Sequence, residues 1–337
     1  MKLLIGGITV IVLGVGAMIW FHHSSSASQN VDVLEEQEKP SQFGADRVKD
    51  DVKPVAFDGK RAMTYLKSIC DLGPRVSGTK QMRQQQDLIK KHFEDLGAKV
   101  AFQSFDAKQN SVKGTIPMTN IIVSYKPEMK RRVIICSHYD TRPIADREED
   151  PRDWRKPFLS ANDGGSGVAL MMEMANHMKD MKTNVGVDFV IFDGEEYIYV
   201  TEGGMRDRYF IGSEHFAKTW RQSKNRSDYS AAILLDMIAG KDLKLPFEIN
   251  SYRYHKKLVD EIWGIAREQN AKAFVYRDGH EVQDDHLALQ KVGIPAIDII
   301  DFDYAHWHKL TDTPDACSAD SFEQVAKVLS VWLQRTK

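Results

Sequence analysis

Six short apolar runs recur after residue 98, and the spacing between them constrains what the chain can build: Lys99–Phe105, Asn120–Tyr125, Arg132–Ser137, Val187–Phe192, Ala231–Asp236 and Ala296–Ile300. Each has strand length and is rich in branched residues. The first three follow closely enough to form hairpins. The later ones are separated by segments with apolar residues at helical spacing, notably Ser166–Met178, Tyr254–Glu268 and Asp285–Lys291, and Ser321–Arg335 closes the chain. Ala62–Leu72 and Lys80–Leu96 also read as helices, interrupted by GPRVSG. Strands alternating with helices predict an α/β fold: a mixed, largely parallel central sheet with helices on both faces. The 337 residues hold no internal repeat, so residues 55–337 form one predicted domain.

Ahead of that domain lies LLIGGITVIVLGVGAMIWF, an uncharged run from Leu3 to Phe21. A helix of about twenty apolar residues crosses a bilayer. Trp20 and Phe21 fall where an interfacial aromatic belt would lie, and Lys2 favours a cytoplasmic N-terminus. Residues 1–21 are therefore expected to be a membrane anchor, with a cleaved signal segment as the alternative because Ser25-Ser26-Ala27 resembles a cleavage site. Both place the domain outside the cytoplasm. Residues 22–54 are polar and read as a flexible tether. With 46 basic and 48 acidic residues and no basic cluster interleaved with aromatics, a nucleic-acid partner is not expected. Cys70, Cys136 and Cys317 do not make a disulfide framework; Cys136 reads as a small buried strand residue, and whether the other two pair stays open.

In an α/β sheet, functional residues gather beyond the carboxyl ends of the strands. Those ends carry an ordered set of donors here. VIICSHYD delivers His138 and Asp140, SANDGGSG delivers Asp163, FDGEEY delivers Glu195 and Glu196, AAILLDM delivers Asp236, and DFDYAHWH delivers His306 and His308. Singly, each has a plainer explanation: Asp163 could cap the following helix, and a Glu pair is usually surface. Together, oxygen and imidazole donors at five strand ends predict a zinc-type metal. A cation also explains adjacent carboxylates at the end of a core strand, one as ligand and the other as base. The loop Thr141–Ser160, containing REEDPRDWRKP, is expected at the rim of the site, with its charges solvated.

SHYD, SANDGGSG, FDGEE, LLDM and WHKLTDT, in this order and after an opening GPRVSGT, resemble the zinc-dependent aminopeptidase and glutaminyl-peptide cyclotransferase superfamily, especially bacterial-type glutaminyl cyclase-like proteins. The resemblance runs from about Ala62 to the C-terminus. It implies that Asp163, Glu196 and His308 hold one zinc and that Glu195 is the general acid/base. His138 and Asp236 match the second-zinc positions of the aminopeptidases. VQDDHLAL is similar to the cyclotransferase segment whose first Asp, here Asp284, joins Asp236 in an acidic network; the plainer reading of the two acids is a helix N-terminus. Trp307 matches a pocket-wall tryptophan, and Gln283 falls in the same implied pocket.

Other features point the opposite way. SANDGGSG is closer to the aminopeptidase form of its loop, Thr201 stands near the place of a second pocket tryptophan, and Cys136 and Val168 do not reproduce the cysteine pair of animal cyclotransferases. The resemblance therefore implies cyclisation of N-terminal glutamine on peptides or proteins with one zinc, with di-zinc aminopeptidase hydrolysis as the alternative. A ligand-free binding ectodomain is the remote third, disfavoured because every ligand position holds a competent donor.

Overall fold

The computed structural model describes residues 52–201, 203 and 206–337. The apolar run Leu3–Phe21 and nearly all of the tether lie outside the described residues. Two helices open the fold, α1 (Gly59–Cys70) and α2 (Lys80–Asp95). Each starts at a side-chain cap: Asp58 accepts the Arg61 N–H and Thr79 accepts the Met82 N–H, satisfying donors that a first turn leaves unpaired. Three strands follow, β1 (Lys99–Ala107), β2 (Ile116–Tyr125) and β3 (Arg131–His138). The alternating half is α3 (Ser166–Met178), β4 (Gly186–Phe192), α4 (Ile211–Gln222), β5 (Asp228–Asp236), β6 (Leu245–Phe247), α5 (Ile249–Glu268), β7 (Phe274–Asp278), α6 (His286–Lys291), β8 (Ala296–Ile300) and α7 (Ala319–Arg335).

The main sheet has the order β1-β2-β4-β3-β5-β8. β1 and β2 form an antiparallel hairpin, β2 pairs antiparallel with β4, and β4, β3, β5 and β8 are mutually parallel neighbours. Alternation along β3 sorts its side chains between two cores, as a two-residue period must. Val133 and Ile135 face the larger core, which includes residues of α1, α2, α3, α5 and α7, while Ile134 and Cys136 face the smaller one with Phe216 of α4 and Leu289 of α6. Because helices cover both faces, β4 is buried along its whole length. The expected mixed, largely parallel sheet is present.

All six expected strands form. α4 and the separate parallel pair β6–β7 were not foreseen. α4 begins behind Phe210, a left-handed residue (φ 61°) that supplies no side-chain cap, so its start carries no sequence signal. α5 begins earlier than the expected Tyr254 because Glu248 caps it through the Asn250 and Ser251 N–H groups, and His255 interrupts its helical geometry (φ −133°, ψ 39°). All three cysteines are buried and free.

Candidate active site

The four parallel strands all point one way, so their carboxyl ends converge. β3 ends in His138, β5 ends in Asp236, Glu195 and Glu196 follow β4, and His308 lies in the loop after β8. Asp163 stands just before α3 and does not cap it: the cap is Gly165, with no side-chain bond. The turn depends on Gly164, which has φ +78°; a Cβ there would lie 2.6 Å from the Asp140 carbonyl and 3.0 Å from His138 Cε1.

These groups form one buried cluster. His138 Nε2 lies 3.0 Å from Asp163 Oδ1 and 3.4 Å from Asp236 Oδ1. His308 Nε2 lies 3.0 Å from Glu196 Oε2 and 3.5 Å from Asp163 Oδ2. Asp163 thus stands between the two imidazoles. Ligand atoms of His138, Asp163 and Glu196 lie within 4.8 Å of one another. Asp140 holds the glutamate turn from behind, accepting the Glu195 N–H at 3.0 Å and the Glu196 N–H at 3.2 Å. His308 is itself in the left-handed region (φ 54°), a conformation that costs a non-glycine residue about 1–3 kcal/mol and that clusters at functional sites.

The electrostatics ask for a cation. Glu195 is pushed well above the usual carboxylate range by burial, offset by His138, with the charges of Glu196, Asp284 and Asp285 adding to the rise. Burial, then the Asp163 charge, pushes Glu196 up to about 7. Asp284 is raised well above its ordinary value by burial and then by Asp236 and Asp285. Asp163 is held low: burial opposes this, but the neighbouring His138, His308 and Arg142 prevail. Both His138 nitrogens, Asp163 Oδ2 and Asp236 Oδ1 are buried without a hydrogen-bond partner. Orphaned imidazole and carboxylate atoms turned on one another fit a zinc-type ion.

The remaining expected residues are placed as follows. Asp284 is buried behind the cluster and accepts the Asp285 N–H at 2.6 Å, while Asp285 makes no side-chain cap on α6. Trp307 is half-buried, its ring centroid 4.3 Å from that of His308, and Gln283 is exposed. His306 is not part of the cluster; its Nδ1 bonds the Thr311 hydroxyl at 2.8 Å. The loop after β3 departs from expectation. Its charges are not all solvated: Arg142 is buried and pairs with Asp146, which in turn touches His308. Asp312 was also missed. It is fully buried and accepts the Asn162 and Asp163 N–H groups at 2.9 and 3.2 Å, fixing the loop that carries Asp163. Asp312 falls inside the WHKLTDT motif, four residues after His308, but an Asp in a polar turn gives no sign of its burial.

The profile of peptidase family M28 matches residues 120–333. A Fimbriiglobus ruber glutaminyl cyclase is 49% identical, with a TM-score of 0.83 over 87% of this chain and 100% of its own. A leucine aminopeptidase precursor from Bacteroides thetaiotaomicron is 29% identical, with a TM-score of 0.79 over 85% of this chain and 100% of its own. The glutaminyl-peptide cyclotransferase of Bos taurus is 22% identical over 245 residues, 64% of this chain and 65% of that one, just under two thirds of its length. Fold, strand-end donors and sequence agree: the chain belongs to peptidase family M28.

Proposed function

We propose that this protein is a glutaminyl-peptide cyclotransferase, converting N-terminal glutamine of peptides or proteins to pyroglutamate with release of ammonia. The observation that carries the reading is the buried Asp284, which accepts the Asp285 N–H at 2.6 Å and interacts with the partly buried strand-end Asp236. Paired buried carboxyls share a proton, which leaves one able to donate a hydrogen bond. The likeness to the Fimbriiglobus ruber glutaminyl cyclase supports it.

Asp163, Glu196 and His308 would hold one zinc, which as a Lewis acid would polarise the side-chain amide carbonyl of the substrate. Glu195 takes a proton from the substrate's α-amine as that nitrogen attacks the side-chain amide carbon. The same carboxyl then returns a proton to the departing nitrogen, so the new ring C–N bond forms, the old one breaks, and ammonia leaves. Asp236 and Asp284 orient the amine and share a proton of their own, while the second amine hydrogen stays on the ring nitrogen. Trp307 and the aromatics of residues 197–210 would wall the substrate from water, with the exposed Gln283 as a further candidate contact. The apolar run Leu3–Phe21 supports an exported, membrane-tethered enzyme.

A second reading has its own observation. His138 Nε2 lies within 3.4 Å of both Asp163 and Asp236, the spacing of a second ligand set, and the leucine aminopeptidase precursor shares the fold. With two metals, Glu195 would take a proton from water and a peptide bond would be cut. The full-length protein, loaded with one and then two equivalents of zinc, is incubated with Gln-Phe-Ala and Leu-Phe-Ala and the products are weighed by mass spectrometry. Ammonia loss from the glutamine peptide alone is expected; release of free leucine would establish the peptidase instead.

A further inference from the structure

Arg142 and Asp146 belong to none of the roles assigned above, yet they touch two of the candidate ligands. The Arg142 side chain grips Asp146 with two prongs, Nε to Oδ1 at 3.0 Å and Nη2 to Oδ2 at 2.7 Å. The same Asp146 Oδ1 lies 3.1 Å from His308 Nδ1, the ring nitrogen on the far side from the cluster. Arg142 also reaches the second ligand. Its backbone N–H donates to Glu196 Oε1 at 3.0 Å, and its Nη1, buried without a hydrogen-bond partner, lies 3.8 Å from Glu196 Oε2. The Tyr209 hydroxyl, 3.2 Å from Nη2, closes the guanidinium's outer side.

His138 is held more loosely on its Nδ1 side, where Asp140 lies 3.6 Å and Glu195 3.9 Å away. Asp140 instead bonds the backbone of the glutamate turn. The two imidazoles of the cluster are therefore held differently. A neutral imidazole carries one N–H and one lone pair, and the partner of one nitrogen decides what the other presents. A carboxylate fixed on Nδ1 keeps the proton there and leaves the Nε2 lone pair to a metal. A guanidinium stays charged at all working pH values, so it can compensate Asp146 and Glu196 together.

We propose that Asp146 and Arg142 are positioning residues for the metal centre. Asp146 fixes His308 in the tautomer that offers Nε2, and Arg142 sets Asp146 and Glu196 at the spacing the ion requires. This rests on the reading that Asp163, Glu196 and His308 hold the zinc.

The test reads metal affinity, not turnover, so it stands whether or not the protein cyclises glutamine. Zinc affinity of the full-length protein is measured by chelator competition for wild type, Asp146→Asn, Arg142→Lys, His308→Ala and the double variant Asp146→Asn/His308→Ala. Asp146→Asn is expected to bind about 10- to 100-fold more weakly, the range for removing a partner that orients a ligand. In the His308→Ala background the same change should cost less than about twofold, because Asp146 acts through that imidazole. Asp150→Asn, which breaks the exposed Asp150–Arg152 pair of the same loop, should leave affinity unchanged. An equal loss with and without His308 would overturn the proposal, as would wild-type affinity in Asp146→Asn. Should Asp146→Asn fail to fold, nitrogen NMR of the zinc-loaded wild type decides: His308 must carry its proton on Nδ1, and a metal on Nδ1 refutes the assignment.

Discussion

The Glu196 carboxylate is engaged by the Arg142 backbone N–H and by His308, whereas the nearest ionic partner of Glu195 is His138 Nδ1, 3.9 Å away. Neighbours in sequence thus have different surroundings, and a single substitution tests whether their duties differ as proposed. Glu195→Gln keeps shape and size but removes the base, so turnover is expected to fall by about 10²- to 10⁴-fold with zinc content unchanged. Metal analysis beside the assay checks this, and undiminished turnover would sink the assignment. Gly164→Ala asks a side chain to occupy a left-handed backbone 2.6 Å from the Asp140 carbonyl. It should cost about 1–3 kcal/mol in denaturant unfolding and lower zinc retention with it. At this scale the candidate donors His138, Glu195, Glu196 and Asp236 were legible because each sits at or just beyond the end of an apolar run. Arg142 and Asp146 were not, since a charged turn reads the same whether it is solvated or folded inward.

Glu248 shows how one side chain can join several elements. Its carboxylate caps α5 through Asn250 and Ser251, accepts the Val282 N–H at 2.9 Å, and lies 3.3 Å from the buried His286. Through Val282 and His286 it flanks the short segment that carries Asp284. Burial would raise its pKa, but His286, Ser251 and the Val282 N–H hold it down at about 2. A depressed carboxyl contributes stability that is present above the unfolded value of about 4.5 and is lost as pH falls through the folded one. Glu248→Gln should therefore be less stable than wild type at neutral pH by about 1–3 kcal/mol. The gap should narrow as pH drops from 4.5 toward 2; urea titrations at several pH values would expose a constant gap and reject this account. Elements were read from sequence where periodicity was long, as in α3, whose limits match expectation. α4 lacked a capping residue, and the three-residue β6 is too short for any period to show.

Across the molecule, the cluster concentrates acids that only a cation or protons can balance. In the metal-free protein, burial pushes Glu196 and Asp285 up to about 7, and raises Glu195 and Asp284 well above their ordinary values. A raised carboxyl contributes stability below its unfolded pKa and loses it as pH climbs through the folded one. The metal-free protein should thus weaken between about pH 5 and pH 8. Zinc, whose binding needs the same carboxyls deprotonated, should stabilise more at pH 7.5 than at pH 5.5. Thermal melts with chelator and with zinc at both values test this, and a larger zinc effect at the lower pH would contradict it. The global fold was legible because alternation of strands and helices leaves few arrangements. The charge balance was not, since a net charge of −2 conceals how unevenly the acids are distributed.

The donors enter the cluster in chain order, His138 first and His308 last, with β8 between Asp236 and His308. During synthesis, all the strands and most of the core therefore exist before the centre can close. A chain that ends between β8 and His308 has every strand of the sheet but lacks the last candidate donor.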